Sequence, residues 1–168
     1  MVRGVFACVT ALMLLAAPVF SGELPALSGP VLLTVTGLDP AIYPTGKAEF
    51  DLAMLQALGV ENITTTSIWT EGPHDFTGVP LQALTAYLQI DAGTLSLHAL
   101  NDYAVKMPAD ATEPTAPILA YKMDGALMPV RDKGPIWVIY PYDADTRYRT
   151  DTIFSRSIWQ LDRIDVLR

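Results

Sequence analysis

The sequence predicts an α+β domain, a mixed β-sheet with two main helices. Three observations carry this. Short β-branched or alternating stretches recur along the chain. Two stretches instead repeat their apolar residues at helical spacing. Pro, Gly and Asp pairs punctuate the boundaries between them.

Val31 to Gly37 is β-branched and reads as the first strand. Gly37 to Pro44, with Asp39-Pro40, is a loop. Phe50, Met54, Leu55 and Leu58 recur at helical spacing before Gly59, so Phe50 to Leu58 reads as a short helix. Asn62 to Trp69, rich in threonine, is a second strand. Glu71 to Gly78, with Gly72 and Pro73, is expected to be a loop. Pro80 then opens the second helix, whose buried stripe is Leu81, Leu84, Tyr87 and Leu88. Thr94 to Leu100 alternates as a strand and ends at Asn101-Asp102-Tyr103. Ile118 to Lys122 is a strand, Asp124-Gly125 a tight turn, and Leu127 to Val130 the return arm. Ile136 to Tyr140 is the most apolar run and is expected to be the central strand, buried on both faces with the Pro80 helix against it. Ser157 to Val166 closes the chain.

The N-terminus carries an expectation of its own. Arg3 precedes an acid-free apolar run, Val5 to Phe20, shorter than the roughly 20 residues that span a bilayer. Val19 and Ser21 are small, so residues 1–21 read as a secretory signal peptide cut after Ser21, and 22–168 as one domain. The only cysteine, Cys8, would leave with it. The 11 bases would fall to 10, against 18 acids. Such an acidic domain without a basic run is a poor partner for nucleic acid or an anionic bilayer. No later stretch is long and apolar enough to insert in a membrane.

The chemistry is sparse. His74 and His98 have no partner at metal-ligand spacing. His98 lies in an alternating strand and reads as structural; His74, in a Gly- and Pro-bearing loop, is either a ligand contact or plain surface. Ser67 and Ser155 pair with no base. Asp143, Asp145 and Asp151 fit no cation loop and read as solvated. Aromatic residues (Trp69, Phe76, Tyr103, Tyr140, Tyr142, Trp159) gather at strand ends and loops beside Asn101-Asp102, Arg147, Arg149 and Arg156. A flat heterocycle wants that mixture, although aromatics also fill cores and arginines coat surfaces.

One ordered set of motifs goes further. Phe76-Thr77-Gly78-Val79-Pro80-Leu81 precedes a helix; Ala99-Leu100-Asn101-Asp102-Tyr103 follows. Then come Ile118-Leu119-Ala120-Tyr121 with Asp124-Gly125, Gly134-Pro135 leading to Tyr140-Pro141, and Trp159. From Thr64 to Val166 this order resembles the molybdopterin-binding domain of the sulfite oxidase superfamily, which implies that fold. Those enzymes bind molybdenum through a cysteine before the "GVPL" helix. Here the region reads Thr64-Thr65-Thr66-Ser67-Ile68-Trp69, without the thiolate. Phe50 to Leu58, Asn101-Asp102-Tyr103 and Phe154 to Trp159 are similar to cysteine-less, PruR-like periplasmic pterin-binding proteins. That resemblance implies a non-catalytic, periplasmic protein. It would bind a reduced pterin but no molybdenum, and regulate a membrane-bound cyclic di-GMP enzyme through that enzyme's periplasmic domain. The alternative is a molybdopterin oxidoreductase lacking the usual ligand.

The site expected on this basis comprises Thr66, Ser67, Trp69, His74, Asn101, Asp102, Tyr103 and Arg156. Trp69 and Tyr103 would stack on the ring; Asn101, Asp102 and His74 would meet its polar edge. Asp102 could equally cap its strand end, and Arg156 could hold a pterin carbonyl or anchor the pocket wall.

Overall fold

A computed structural model describes residues 24–168. The expected signal peptide, with Cys8 and its cleavage point, lies outside them. The elements run β1 (Leu33–Thr36), β2 (Lys47–Phe50), α1 (Leu52–Ala57), β3 (Glu61–Thr66), β4 (Pro73–Pro80), α2 (Leu81–Tyr87), β5 (Thr94–Ala99) and β6 (Ala104–Pro108). They continue with β7 (Ile118–Met123), β8 (Ala126–Leu127), β9 (Trp137–Ile139), a 3-10 turn (Thr146–Tyr148), α3 (Asp151–Arg156) and β10 (Leu161–Leu167). Among the described residues no helix is long and apolar enough to cross a membrane.

The α+β class holds, but with two sheets rather than one. The first is mixed, in the order β2-β1-β10-β5-β6, with β1 and β10 parallel. The second is antiparallel, β3-β4-β7, and β7 carries both β8 and β9 beyond it. One apolar cluster joins them: Leu33, Val35, Leu95, Leu97, Ile164 and Val166 from the first sheet meet Val79, Leu119 and Val138 from the second, with Leu81 and Leu84 of α2. A smaller cluster of Ile63, Phe76, Ile118, Ala120, Trp137 and Ile139 fills the other face of the second sheet. β9 is therefore buried on both faces, as its composition predicts. It is not central: its ladder partner is β7 alone. Its far side is covered by the chain before β10, where Val138 donates to Ile158 and Leu161 donates to Ile136. That cover meets the need to shield an apolar edge.

Other boundaries move for identifiable reasons. Phe50 ends β2 rather than opening a helix, because Asp51 caps α1: its Oδ1 accepts from Met54 N at 2.9 Å. Its Oδ2 accepts from Ser28 N, Ser28 Oγ and Gly29 N at 2.6, 2.8 and 2.9 Å. These donors, Met54 first, hold the carboxyl down at about 2. The expected Glu71–Gly78 loop is mostly β4, whose polar residues face solvent while Phe76 points inward. The strand expected to reach Trp69 stops at Thr66, and the return arm expected over 127–130 is only Ala126–Leu127. Neither β6 nor α3 is foreseen. β6 buries only Met107 and α3 buries nothing, so neither carries a strong apolar rhythm. In α2, Leu81, Leu84 and Leu88 are buried but Tyr87 is half-buried.

Gly78 has a steric reason to be glycine. A Cβ there would run into the Leu119 carbonyl oxygen and come within 2.7 Å of Ala120 Cα, at the irregular step where β4 crosses β7.

Candidate functional site

Three separated stretches converge on one pocket of about 350 Å³. The turn after β3 brings Trp69. The β5–β6 turn brings Ala99, Asn101 and Tyr103. The end of α3 and the run into β10 bring Phe154, Ser155, Ser157, Ile158 and Trp159.

Each stretch is held locally. Thr66 is pinned by Asp143, which accepts from its backbone N and Oγ1 at 2.6 and 2.8 Å; Thr65 Oγ1 accepts from Asp143 N in return. These bonds and the neighbouring Arg149 keep the Asp143 carboxyl below its ordinary value. Ser67 Oγ meets Thr70 Oγ1 at 2.7 Å and accepts from Trp69 N at 3.2 Å, turning the indole inward. Trp69 is a keystone: its ring lies 5.9 Å from those of Trp137, Phe154 and Trp159 and 6.4 Å from Tyr142, all edge-on. Trp137 and Tyr142 stand behind the wall. Trp137 Nε1 donates to Ser157 O at 3.0 Å and the Tyr142 hydroxyl donates to Ser157 Oγ at 2.6 Å. Burial pushes the Tyr142 phenol up to about 12. On Trp159, Lys133 Nζ sits 4.7 Å from the ring centre, and 5.0 Å from that of Trp137.

The β5–β6 turn is tight. Asp102 sits at its tip with φ of 63°, and Asn101 Oδ1 accepts from Tyr103 N at 3.2 Å, leaving the amide NH2 as a donor. Ser155 donates to Thr152 O, which leaves its oxygen as an acceptor. The lining thus offers four rings, three hydroxyls, one amide and no charged side chain. Such a surface favours a flat, largely apolar ring with a few polar edges.

Of the expected residues, Trp69, Asn101 and Tyr103 come together here. Asp102 belongs to the same turn, but its side chain is 88% exposed and lies 3.5 Å from Arg163. Thr66 and Ser67 build the support beneath Trp69. Arg156 is half-buried and does not line the pocket. It lies close enough to Tyr140 to favour the phenolate, yet the buried hydroxyl finds no hydrogen bond of good geometry; burial dominates and raises the Tyr140 pKa. Arg156 thus lies beside Tyr140 and outside the pocket lining. His74 is elsewhere, on β4, with Nδ1 at 2.7 Å from Asp124 and Nε2 at 3.1 Å from Glu71 O. His98 is in β5, 3.0 Å from both Ser96 Oγ and Asp165. Among the described residues no group of three or more His, Cys, Asp or Glu side chains is arranged to hold a metal ion.

Of the Phe154 to Trp159 run that the resemblance singles out, only Arg156 belongs to the expected site, yet Phe154, Ser155, Ser157, Ile158 and Trp159 are the residues that line the pocket. A short helix with no buried face carries no apolar rhythm that marks it as a wall.

No protein-family model matches the chain, and no curated protein matches it.

Proposed function

We propose that the chain is a periplasmic binding protein for a reduced pterin, that it performs no turnover, and that it regulates a membrane-bound enzyme of cyclic di-GMP signalling. The observation that carries the ligand reading is the aromatic pocket. Trp69, Asn101 and Tyr103 share it with Phe154 and Trp159, in a volume of about 350 Å³, at the small end of ligand pockets. Tyr103, 56% exposed, has a ring free to take a flat ligand, whereas Trp69 is held by four others and shapes the wall. Asn101 and Ser155 supply a donor and an acceptor for the ligand edge. Asp102, one residue on, is the nearest carboxylate in sequence for its N–H groups.

The resemblance to cysteine-less pterin-binding proteins supplies the ligand class, the compartment and the signalling partner. Thr66, at the position of the enzymes' metal-ligand region, is tied to Asp143 rather than free. This disfavours the second reading, a molybdopterin oxidoreductase with an oxygen ligand. The test is to express the chain with its first 21 residues, recover it from the periplasm of a molybdopterin-competent host, and analyse its small molecules and metals. We expect a reduced pterin near one per chain and negligible molybdenum. Stoichiometric molybdenum would replace the sensor reading with the enzyme reading.

A further inference from the structure

A strand at the edge of an open sheet carries unpaired backbone groups, a template for another strand. Most edges of this fold are guarded. In the first sheet, β2 carries the exposed Lys47–Glu49 ion pair, and β6 carries Lys106 and ends on Pro108. In the second, β8 is two residues long, and the far side of β9 is covered by the chain before β10. β3 has none of these guards over Asn62 to Thr66, which hold neither charge nor proline.

The register assigns its free groups. β3 pairs with β4 without a break, Thr64 opposite Asp75 and Asn62 opposite Thr77. Asp75 turns its backbone away from β3, toward β7: Asp124 N donates to Asp75 O at 2.8 Å, and Asp75 N donates to Asp124 Oδ1 at 3.0 Å. Thr64 is therefore a non-hydrogen-bonded position of the β3–β4 ladder, and so are Asn62 and Thr66, two residues to either side. Thr66 agrees, since its N–H reaches Asp143 rather than β4. The N–H and C=O of Asn62 and Thr64 thus point away from the sheet. Both residues are exposed, and among the described residues no backbone group from outside the sheet pairs with them.

A groove of about 480 Å³ runs beside this edge. Asn62 and Thr64 belong to one wall; Glu113, Pro141, Asp145, Arg147 and Tyr148 belong to the other. The second wall is braced, because Glu113 accepts from the Tyr148 hydroxyl at 2.7 Å and from Arg147 Nη2 at 2.9 Å. Asp143 closes the edge at Thr66, so the stretch left open is 61–64. The groove is acidic, with Glu61, Glu113 and Asp145 against Arg147. Going outward, Arg149 is matched by Asp143 and Lys122 by Asp75, so the sign holds.

We infer that β3 accepts an extended, basic peptide segment as an added strand. Main-chain hydrogen bonds to Asn62 and Thr64 hold the segment, and its Lys or Arg side chains meet Glu61, Glu113 and Asp145. A second copy of the chain is the poorer occupant, since its own β3 edge would set the same acidic wall against this one. The groove shares no lining residue with the aromatic pocket, so the inference stands apart from the pterin reading.

The probe is a capped hexapeptide alternating lysine and valine, titrated into the folded chain while hydrogen exchange is followed at the Asn62 and Thr64 amides. A matched peptide alternating glutamate and valine is the control. We expect saturable binding of the lysine peptide, exchange at both amides slowed about tenfold or more, and no binding of the glutamate peptide. Thr64→Pro removes an outward N–H without taking a β3–β4 bond, a change that an edge strand tolerates, and should weaken binding about tenfold or more. Thr64→Ala keeps the amide and should bind within about twofold of the parent. The double variant Glu61→Lys, Glu113→Gln should reverse the preference between the two peptides, and it reads the inference even where Thr64→Pro does not fold. Absence of saturable binding, equal binding of the two peptides, or unchanged exchange at Asn62 and Thr64 overturns the inference. So does concentration-dependent protection of these amides without peptide, which would assign the edge to a second copy.

Discussion

The aromatic pocket and the His74 end of the second sheet are both built from residues that the sequence marks as chemically interesting, and they differ in reach. At the His74 end the bonds join two neighbouring hairpins of one sheet, with His74 and Asp124 50 residues apart in sequence. His74 meets Asp124 at 2.7 Å, Asp124 accepts from Asp75 N at 3.0 Å, and Asp75 accepts from Thr64 Oγ1 at 2.6 Å. In the pocket, Trp69 meets rings from 68 to 90 residues further along the chain, Trp137, Tyr142, Phe154 and Trp159. Polar side chains in turns can satisfy themselves on the nearest backbone or hairpin partner. Rings have no such local partner, so burial drives them together across the fold. The pocket therefore gathers rings from three stretches of the chain, whereas the His74 end clasps two hairpins of one sheet with polar groups.

The sharpest way to break this contrast is Trp137→Ala. Trp137 is fully buried and touches Trp69, Phe76 and Trp159. We expect a loss of about 3–5 kcal/mol in denaturant unfolding, and a pocket that no longer holds its shape. Trp69→Ala should cost less, about 2 kcal/mol, because the indole is half-buried. If Trp69→Ala proved as stable as the parent, Trp69 would not be the keystone of the wall.

Two pH series probe the polar regions. Asp51 has its folded pKa held down to about 2 by the donors of Met54, Ser28 and Gly29. A depressed carboxyl contributes stability above its unfolded value, near 3.9, that is lost as pH falls through the folded value. Parent and Asp51→Asn melting temperatures should therefore differ at pH 5–7 and converge toward pH 2; a constant gap would contradict the assignment. The smallest effect is expected at His74. Its pKa is raised, chiefly by the hydrogen bond to Asp124, whose own pKa is lowered by His74. The raised histidine contributes stability below its unfolded value, near 6.5, that is lost as pH rises through the higher folded value; the lowered aspartate contributes only above its own unfolded range. The gap between parent and His74→Gln should thus be widest near pH 5–6 and close above neutrality, while pocket binding is unchanged. Loss of ligand binding in His74→Gln would join the two regions that the geometry separates.

How much of this was legible depends on the kind of signal. The α+β class, the buried Ile136–Tyr140 run and the Asp124-Gly125 turn follow from apolar pattern and turn chemistry. The division into two sheets does not, because β1 pairs with β10 across nearly the whole chain and no local pattern announces it. In the site, Trp69 and Tyr103 were readable as large aromatics at element ends. Thr66 and Ser67 belong to the expected site, but their hydroxyls are engaged by Asp143 and Thr70. Side-chain pairing of that kind is decided by tertiary approach, and sequence spacing carries no record of it.

The most direct test of the pocket is an anaerobic calorimetric titration of tetrahydrobiopterin into the parent chain, Tyr103→Ala and Trp69→Ala, with folding checked by circular dichroism. We expect one ligand per chain for the parent. Tyr103→Ala should bind about threefold to tenfold more weakly, the worth of one ring contact, and Trp69→Ala more weakly still because the wall loses its support. Parental affinity in both folded variants would contradict the placement of the ligand in this pocket.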